Sequence, residues 1–326
     1  RLFLTGGTGF LGCWLLESFT WANDRLGLGA SVAVLSRDPA AFRRKAPHLA
    51  RHPSVHFHTG DIRSFVFPEG RFSHIIHAAT DASAKLNRED PLLMFDTIVL
   101  GTRRTLDFAA ECGAEKLLFI SSGAVYGKQP AEVSLMAEDY TGAPDPMDPE
   151  SAYGEGKRVA EMLCMLWRLR HGLETKIARC FASVGPYMPL SNNFAIGDFL
   201  RDEVSGGPIQ VCGDGTPVRS YLYAADLMIW LWTILFRGEP CRPYNVGSES
   251  ALTVLETALE ISSSPHPKAR VRVRQKRRKE SIAGRYVPST ARARHELSLA
   301  QHVSLDQAIQ QTSEWLRESR PRREHN

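Results

Sequence analysis

The sequence predicts a doubly wound α/β fold: a parallel sheet with helices on both faces, followed by a smaller mixed α/β part toward the C-terminus. Two observations predict it. Short apolar runs alternate with longer segments of helical periodicity through the first half, and that alternation closes most readily as parallel strands with right-handed crossovers. The first of these runs ends in three glycines spaced three apart, Gly6, Gly9 and Gly12, a turn by which such a sheet's first strand enters its first helix.

Taken in order, residues 2–5, 31–36, 55–59, 74–77 and 116–121 read as strands, each closed by small or turn-forming residues. Between them, residues 11–22 and 91–112 read as helices. In the second of these, Leu93, Ile98, Leu100, Leu106 and Ala109 give an approximate helical stripe, and Pro91 suits a helix start. A long helix at 151–171 and a strand at 175–181 follow. Beyond them the pattern loosens into helices at 193–205, 224–236 and 252–261 with glycine- and proline-rich loops. The domain reading is 1–180 for the sheet domain, 181–316 for a substrate part from which the chain re-enters the first domain, and 317–326 for a polar tail.

The bulk properties narrow the classes. A chain of 326 residues with 43% hydrophobic and 23% charged residues has core enough for one large unit or two domains. No apolar run reaches the roughly 20 residues of a membrane span, and the first twelve residues read as strand and glycine turn rather than signal peptide. Six scattered cysteines without a CxxC pair favour reduced thiols and a cytoplasmic setting. A net charge of +4 is too small to argue for nucleic acid and compatible with an anionic small substrate. His56, His58, His74 and His77 lack matching acids or cysteines, so no metal is expected. The basic run 268–279, alternating valine and arginine in its middle, reads as an edge strand with one wet face and lacks the interleaved aromatics of a nucleic-acid surface. Met228, Trp230, Leu231 and Trp232 belong to an apolar helix, core or interface.

The glycine turn points to a dinucleotide. Gly6 allows the tight turn, Gly9 lets backbone approach a pyrophosphate, and Gly12 lets helix pack on strand. The helix opening at Phe10 and Leu11 offers unpaired N–H groups and a positive dipole end to the phosphates. Asp61 and Ile62, after the third strand, fall where an adenine edge would lie, although Asp61 serves equally as a turn or cap. Ala78 and Ala79, after the fourth, are small enough to let the cofactor pass. The second strand ends in Ser36 and Arg37, with Asp38 beyond. An acid there suits ribose hydroxyls and an arginine suits an extra phosphate, so NADP(H) is favoured over NAD, unless Arg37 is a solvated surface charge.

Tyr153 and Lys157 stand at i and i+4, on one face of a helix. An ammonium near a phenol stabilises phenolate, making a general acid/base suited to an alcohol that exchanges hydride at the same carbon. Such a pair alone is common and carries little weight. The fifth strand, however, ends in Ser121 and Ser122 at the carboxyl edge where ligands bind in open parallel sheets. The Ser122 hydroxyl can share the substrate oxygen with the phenol, or merely satisfy turn backbone.

The combination of TGGTGFLG at 5–12, HAA at 77–79, SSGAVYG at 121–127 and YGEGK at 153–157 resembles the extended short-chain dehydrogenase/reductase family, in its sugar-nucleotide epimerase/dehydratase branch. Segments 213–227, 244–248 and 284–297 match that branch as well, so the likeness spans nearly the whole chain. It implies a Rossmann-type fold, a catalytic triad of Ser122, Tyr153 and Lys157, and Tyr153 and Lys157 also against the cofactor. It further implies Arg219 and Arg285 as clamps on a substrate diphosphate, as bidentate guanidinium groups suit, with Gly123 and Asn193 near the substrate. It implies a homodimer through a four-helix bundle built from 91–112 and 151–171. Neither nucleic acid nor membrane is an expected partner.

Departures from the pattern bear on the reaction. Dehydratases of the branch carry an acid pair immediately before Val-Tyr-Gly and decarboxylases a glutamate, whereas this chain has Gly123 and Ala124. Ala182 and Ile98 replace common asparagines. What remains needs only hydride and one proton: C4 epimerisation of a nucleotide-linked sugar, or reduction of a 4-keto sugar. A dehydratase or decarboxylase drawing its acid from elsewhere is the alternative within enzymes. A cofactor-binding sensor or scaffold without catalysis is the alternative outside them.

Overall fold

Seven parallel strands form the central sheet of the computed structural model, which describes residues 1–80, 84–190, 194–263, 269–275 and 284–319. The first half supplies β1 (Leu2–Thr5), β2 (Val32–Ser36), β3 (Val55–Thr59), β4 (His74–His77), β5 (Lys116–Ser122) and β6 (Glu174–Cys180). Its helices are α1 (Phe10–Leu26), α2 (Pro39–Lys45), α3 (Pro47–Ala50), α4 (Ala84–Glu89), α5 (Pro91–Glu111) and α6 (Ala152–His171). Local chemistry sets the ends. Gly27 closes α1 in the left-handed conformation, and the Asp90 carboxylate accepts from Leu93 N ahead of Pro91 to start α5.

Side chains alternate across the sheet, and each face buries its own core. Leu2, Leu4, Val34, Ile76 and Leu118 pack with Leu15, Leu16, Trp230, Leu231 and Ile234 on one face. Phe3, Ile75, Leu117 and Phe119 pack with Ile98, Leu106 and Phe108 on the other. There the Phe3 and Phe108 rings meet edge-on, centroids 4.8 Å apart. Burial on both faces is why the strands read as nearly continuous apolar runs.

The second half adds β7 (Ser183–Val184), α7 (Ala195–Val204), β8 (Ile209–Val211), β9 (Val218–Arg219), β10 (Leu222–Tyr223), α8 (Ala224–Arg237), β11 (Pro243–Val246), β12 (Leu252–Thr253), α9 (Val254–Ser262), β13 (Val271–Val273), β14 (Arg285–Tyr286), α10 (Ala291–Leu297) and α11 (Leu305–Glu318). Among the described residues three small sheets, β10-β7, β12-β9-β14 and β13-β8, stand beside the large one, whose order is β11-β6-β5-β4-β1-β2-β3. The chain returns to the main sheet through β11, which pairs with β6. Strand order reverses between β1 and β4, and the crevice above such a reversal is where ligands bind.

The structure adds to the sequence expectations and changes some of them. The strand β11, α10 and α11 were absent from the sequence reading. The tail does not begin at residue 317: Arg317 lies in the last turn of α11 and pairs with the buried Glu203, while 320–326 lie outside the described residues. The apolar helix 224–237 is core at Trp230 and Leu231, with Trp230 Nε1 donating to Ala300 O. Within the basic run, β13 pairs parallel to β8 and leaves Arg272 and Val273 exposed. Residues 268 and 276–279 lie outside the described residues.

Candidate active site

A cleft of about 1420 Å³ runs along the carboxyl ends of the sheet, larger than the roughly 300–1,000 Å³ of a single small-molecule pocket. Gly6, Gly9, Phe10, Leu11 and Gly12 line one end. Gly6 holds φ +73°, and a Cβ on it would stand 2.4 Å from Ala78 O; one on Gly12 would stand 2.2 Å from Gly6 O. The turn therefore tolerates no side chain at either position, and α1 begins hard against the end of β4. A Cβ on Gly9 would meet only Gly6 O, at 3.4 Å, so that backbone stays open to a ligand. These features fit a dinucleotide pyrophosphate at the N-terminus of α1.

Ser36, Arg37, Asp61, Ile62, Ala78 and Ala79 line the same half. Asp38 is committed elsewhere, its carboxylate accepting from Ala41 N at 2.9 Å to cap α2. Asp61 accepts from Arg63 Nε at 2.9 Å and Nη2 at 3.2 Å, and that guanidinium holds its carboxyl below the ordinary range. Below the turn, His77 is caged by hydroxyls: Thr5 Oγ1 at 2.7 Å from Nδ1 and Thr102 Oγ1 at 3.0 Å from Nε2. Burial, then the Lys157 charge, pulls its pKa down to about 3, so the imidazole is neutral.

The other half collects Ser122, Tyr153 and Lys157. Ser122 ends β5, where its Oγ accepts from Ala124 N at 3.2 Å and caps the following turn. Tyr153 opens α6, its backbone N donating to Asn87 Oδ1 at 3.1 Å. One turn on, Lys157 Nζ lies 5.9 Å from the Tyr153 ring centroid and donates to Ile120 O at 2.7 Å and Thr80 Oγ1 at 2.9 Å. Burial pulls the ammonium down to about 8. Burial also raises the Tyr153 phenol, partly offset by its hydrogen bond with Ser122. The expected lowering by Lys157 is not what sets this phenol: burial raises it, and the opposing pull comes from Ser122.

Substrate-side expectations divide. Arg219 lines the cleft, with Nη1 on Val218 O and Gly284 O at 2.8 and 3.1 Å. Arg285 is not brought to the cleft lining: its Nε donates to Ser134 O at 2.6 Å. Its neighbour Tyr286 lines the cleft instead. Gly123 is covered, since a Cβ there would stand 2.6 Å from the Phe181 ring and 2.7 Å from Tyr286 Oη. Asn193 lies outside the described residues. Sequence reasoning missed Thr80, Asn87, Phe181 and Tyr286; only Tyr286, beside the flagged Arg285 in a matching segment, carried a usable signal. No group of three or more His, Cys, Asp or Glu able to hold a metal occurs among the described residues, and no described helix is long and apolar enough to cross a membrane.

Comparison with known proteins gives this geometry a context. A model of the NAD dependent epimerase/dehydratase family matches residues 2–247. The chain belongs to that family. Among curated members, UDP-glucuronic acid decarboxylase 1 of Danio rerio is 30% identical over 264 residues, 81% of this chain and 60% of the relative. UDP-glucuronic acid decarboxylase 1 of Arabidopsis thaliana is 29% identical over 309 residues, 95% of this chain and 68% of the relative. Of solved structures, the Thermus thermophilus UDP-glucose 4-epimerase complexed with NAD superimposes with TM-score 0.79 at 26% identity, covering 98% of this chain and 99% of that one. A dTDP-glucose 4,6-dehydratase from Streptomyces venezuelae, also with NAD, gives 0.80 at 25%, covering 98% and 97%. As an epimerase/dehydratase family member, the chain buries Ile98 fully between α5 and α6 and sets Ala182 in the cleft wall.

Proposed function

We propose that this family member carries out oxidation and reduction at C4 of a nucleotide-linked sugar, as a C4 epimerase or a 4-keto-sugar reductase. One observation carries the reading: Ser122, Tyr153 and Lys157 share one end of the cleft, while the two positions where dehydratases and decarboxylases keep acids are Gly123 and Ala124. Tyr153 takes the proton from the C4 hydroxyl or returns it. Ser122 hydrogen-bonds the same oxygen. Lys157, held by Ile120 O and Thr80, would hold the nicotinamide ribose and keep positive charge beside the phenol. Gly6, Gly9 and Gly12 with the α1 N-terminus would hold the pyrophosphate, and Arg219 the substrate diphosphate. A bound nicotinamide supplies the acceptor and donor of hydride.

Arg37 on the rim, with Asp38 spent on capping, supports NADP(H). The two solved relatives complexed with NAD support the unphosphorylated form, and the comparisons lend no weight to the other. Denaturing the purified protein and identifying the released nucleotide by mass spectrometry separates them. Decarboxylation is the second reading, favoured by the curated relatives. Incubation with UDP-glucose, dTDP-glucose and UDP-glucuronate, read by NMR, tests both: a C4 epimer is expected, and a pentose product would overturn the first reading. Dinucleotide binding without turnover of any sugar nucleotide, in either direction, would favour the sensor.

A further inference from the structure

The hydroxyl of Ser122 has one proton and two acceptor sites. Ala124 N–H takes one acceptor site at 3.2 Å. Tyr286 Oη stands 3.4 Å from the same oxygen, long for a hydroxyl pair but of the kind that tightens when a catalytic site closes on its ligand. We propose that Tyr286 is a positioning residue for the catalytic centre. Donating to Ser122, it fills the remaining acceptor site, so that the Ser122 proton points at the oxygen it shares with Tyr153. The proposal rests on the reading of Ser122 and Tyr153 as the catalytic pair.

Three features of the fold support it. Gly123 has no side chain, and the Tyr286 hydroxyl lies where a Cβ at 123 would crowd it, at 2.7 Å. The Tyr286 ring is wedged on Phe181, centroids 4.5 Å apart. Just past β14, Val287 is tied to the loop that follows the turn after β5, with Val287 N donating to Gln129 Oε1 at 2.9 Å and Met136 N donating to Val287 O at 2.9 Å. The strand β14 itself pairs with β9 so that Tyr286 stands opposite Arg219. One ribbon thus carries both a cation facing the substrate and the phenol that orients Ser122. Burial raises the Tyr286 phenol well above its ordinary value, so it keeps the proton it donates.

A serine locked as donor stabilises the Tyr153 phenolate. The other groups around that phenol are Lys157 on its own helix, Cys180 on β6, whose thiol burial pushes up to about 12 and so keeps neutral, and Arg219, which acts on Tyr286. The test is a tyrosinate absorbance titration of the full chain, with Tyr153 isolated by subtracting the matching Tyr153→Phe protein. Tyr286→Phe is expected to raise the Tyr153 midpoint by roughly half to one unit, the size of one net hydrogen bond. In a Ser122→Ala background the same substitution is expected to move nothing. Gly123→Ala, which displaces Tyr286 but keeps its hydroxyl, is expected to shift the midpoint the same way. An unchanged midpoint in Tyr286→Phe, or an equal shift with Ser122 absent, overturns the proposal. Because no sugar is needed, that result is separate from failure of the C4 reading, which sugar turnover reports.

Discussion

Tyr153 and Lys157 divide the work between a proton and a charge, and their variants separate the two. Tyr153→Phe removes the exchangeable proton while leaving the ring in place. Turnover of the sugar nucleotide is expected to fall about 100- to 10,000-fold, with cofactor still retained on gel filtration; intact turnover would sink the assignment. Lys157 gives a pH signature instead. Its value of about 8 means that the ammonium is present below that pH and is lost above it. The pH-rate profile is therefore expected to descend on its alkaline side near that value, and a flat profile there would remove Lys157 as the charge. The pair was legible because four residues on a helix is a fixed geometry. Tyr286 was signalled only as the neighbour of Arg285, since its place depends on a ribbon that crosses back from the far end of the chain. Arg285 does not line the cleft and its neighbour Tyr286 does, because adjacent strand residues face opposite sides.

At the scale of elements, β1, β4 and α5 are joined through His77, which bonds Thr5 and Thr102 and lies 3.5 Å from Thr105. Its folded pKa of about 3 lies below the ordinary value near 6.5. The unfolded chain therefore binds more protons between those values, and stability is fully present above about 6.5 and falls as pH drops toward 3. Chemical denaturation at neutral pH and near pH 5 is expected to show a loss of roughly 2 kcal/mol from this group. His77→Gln should lower stability at neutral pH yet flatten that slope; an unchanged slope would assign it to other groups. The central strands of the first half, β1, β2, β4 and β5, were readable because they are buried on both faces and their runs are largely apolar, while the edge strand β3 shows partly exposed histidines. The strand β11 escaped because Asn245 interrupts it, a polar residue buried only because Tyr126 Oη donates to its side-chain oxygen and its amide donates to Met136 O and Ser289 O. By contrast α11 had a signal that went unused: the Ser304 and Gln307 capping box ahead of Ala308, Ile309, Thr312 and Leu316 at helical spacing.

For the whole molecule, the question is what covers the outer faces of α5 and α6. Inward, α6 presents Gly156, Ala160 and Cys164 to the core. Outward it carries a second apolar stripe, Met162, Met165, Leu166 and Leu169, exposed by 65, 41, 47 and 76%. Leu92 and Leu100 of the neighbouring α5 are 69 and 47% exposed. A helix with two apolar stripes packs on two partners, and the sheet satisfies only one. A contiguous apolar surface of this kind marks an association site, and pairing it with its own copy would make the four-helix bundle that the family resemblance implies. Each large side chain buried in this way contributes about 1.5–3 kcal/mol, so two opposite substitutions at the centre should be decisive. The protein is expected to sediment at twice its single-chain mass, and Leu166→Lys combined with Leu169→Lys to sediment as one chain with the secondary structure unchanged. A wild-type protein that stays monomeric at micromolar concentration would refute the bundle. The cleft would be untouched by that result, since every residue proposed for it comes from a single chain.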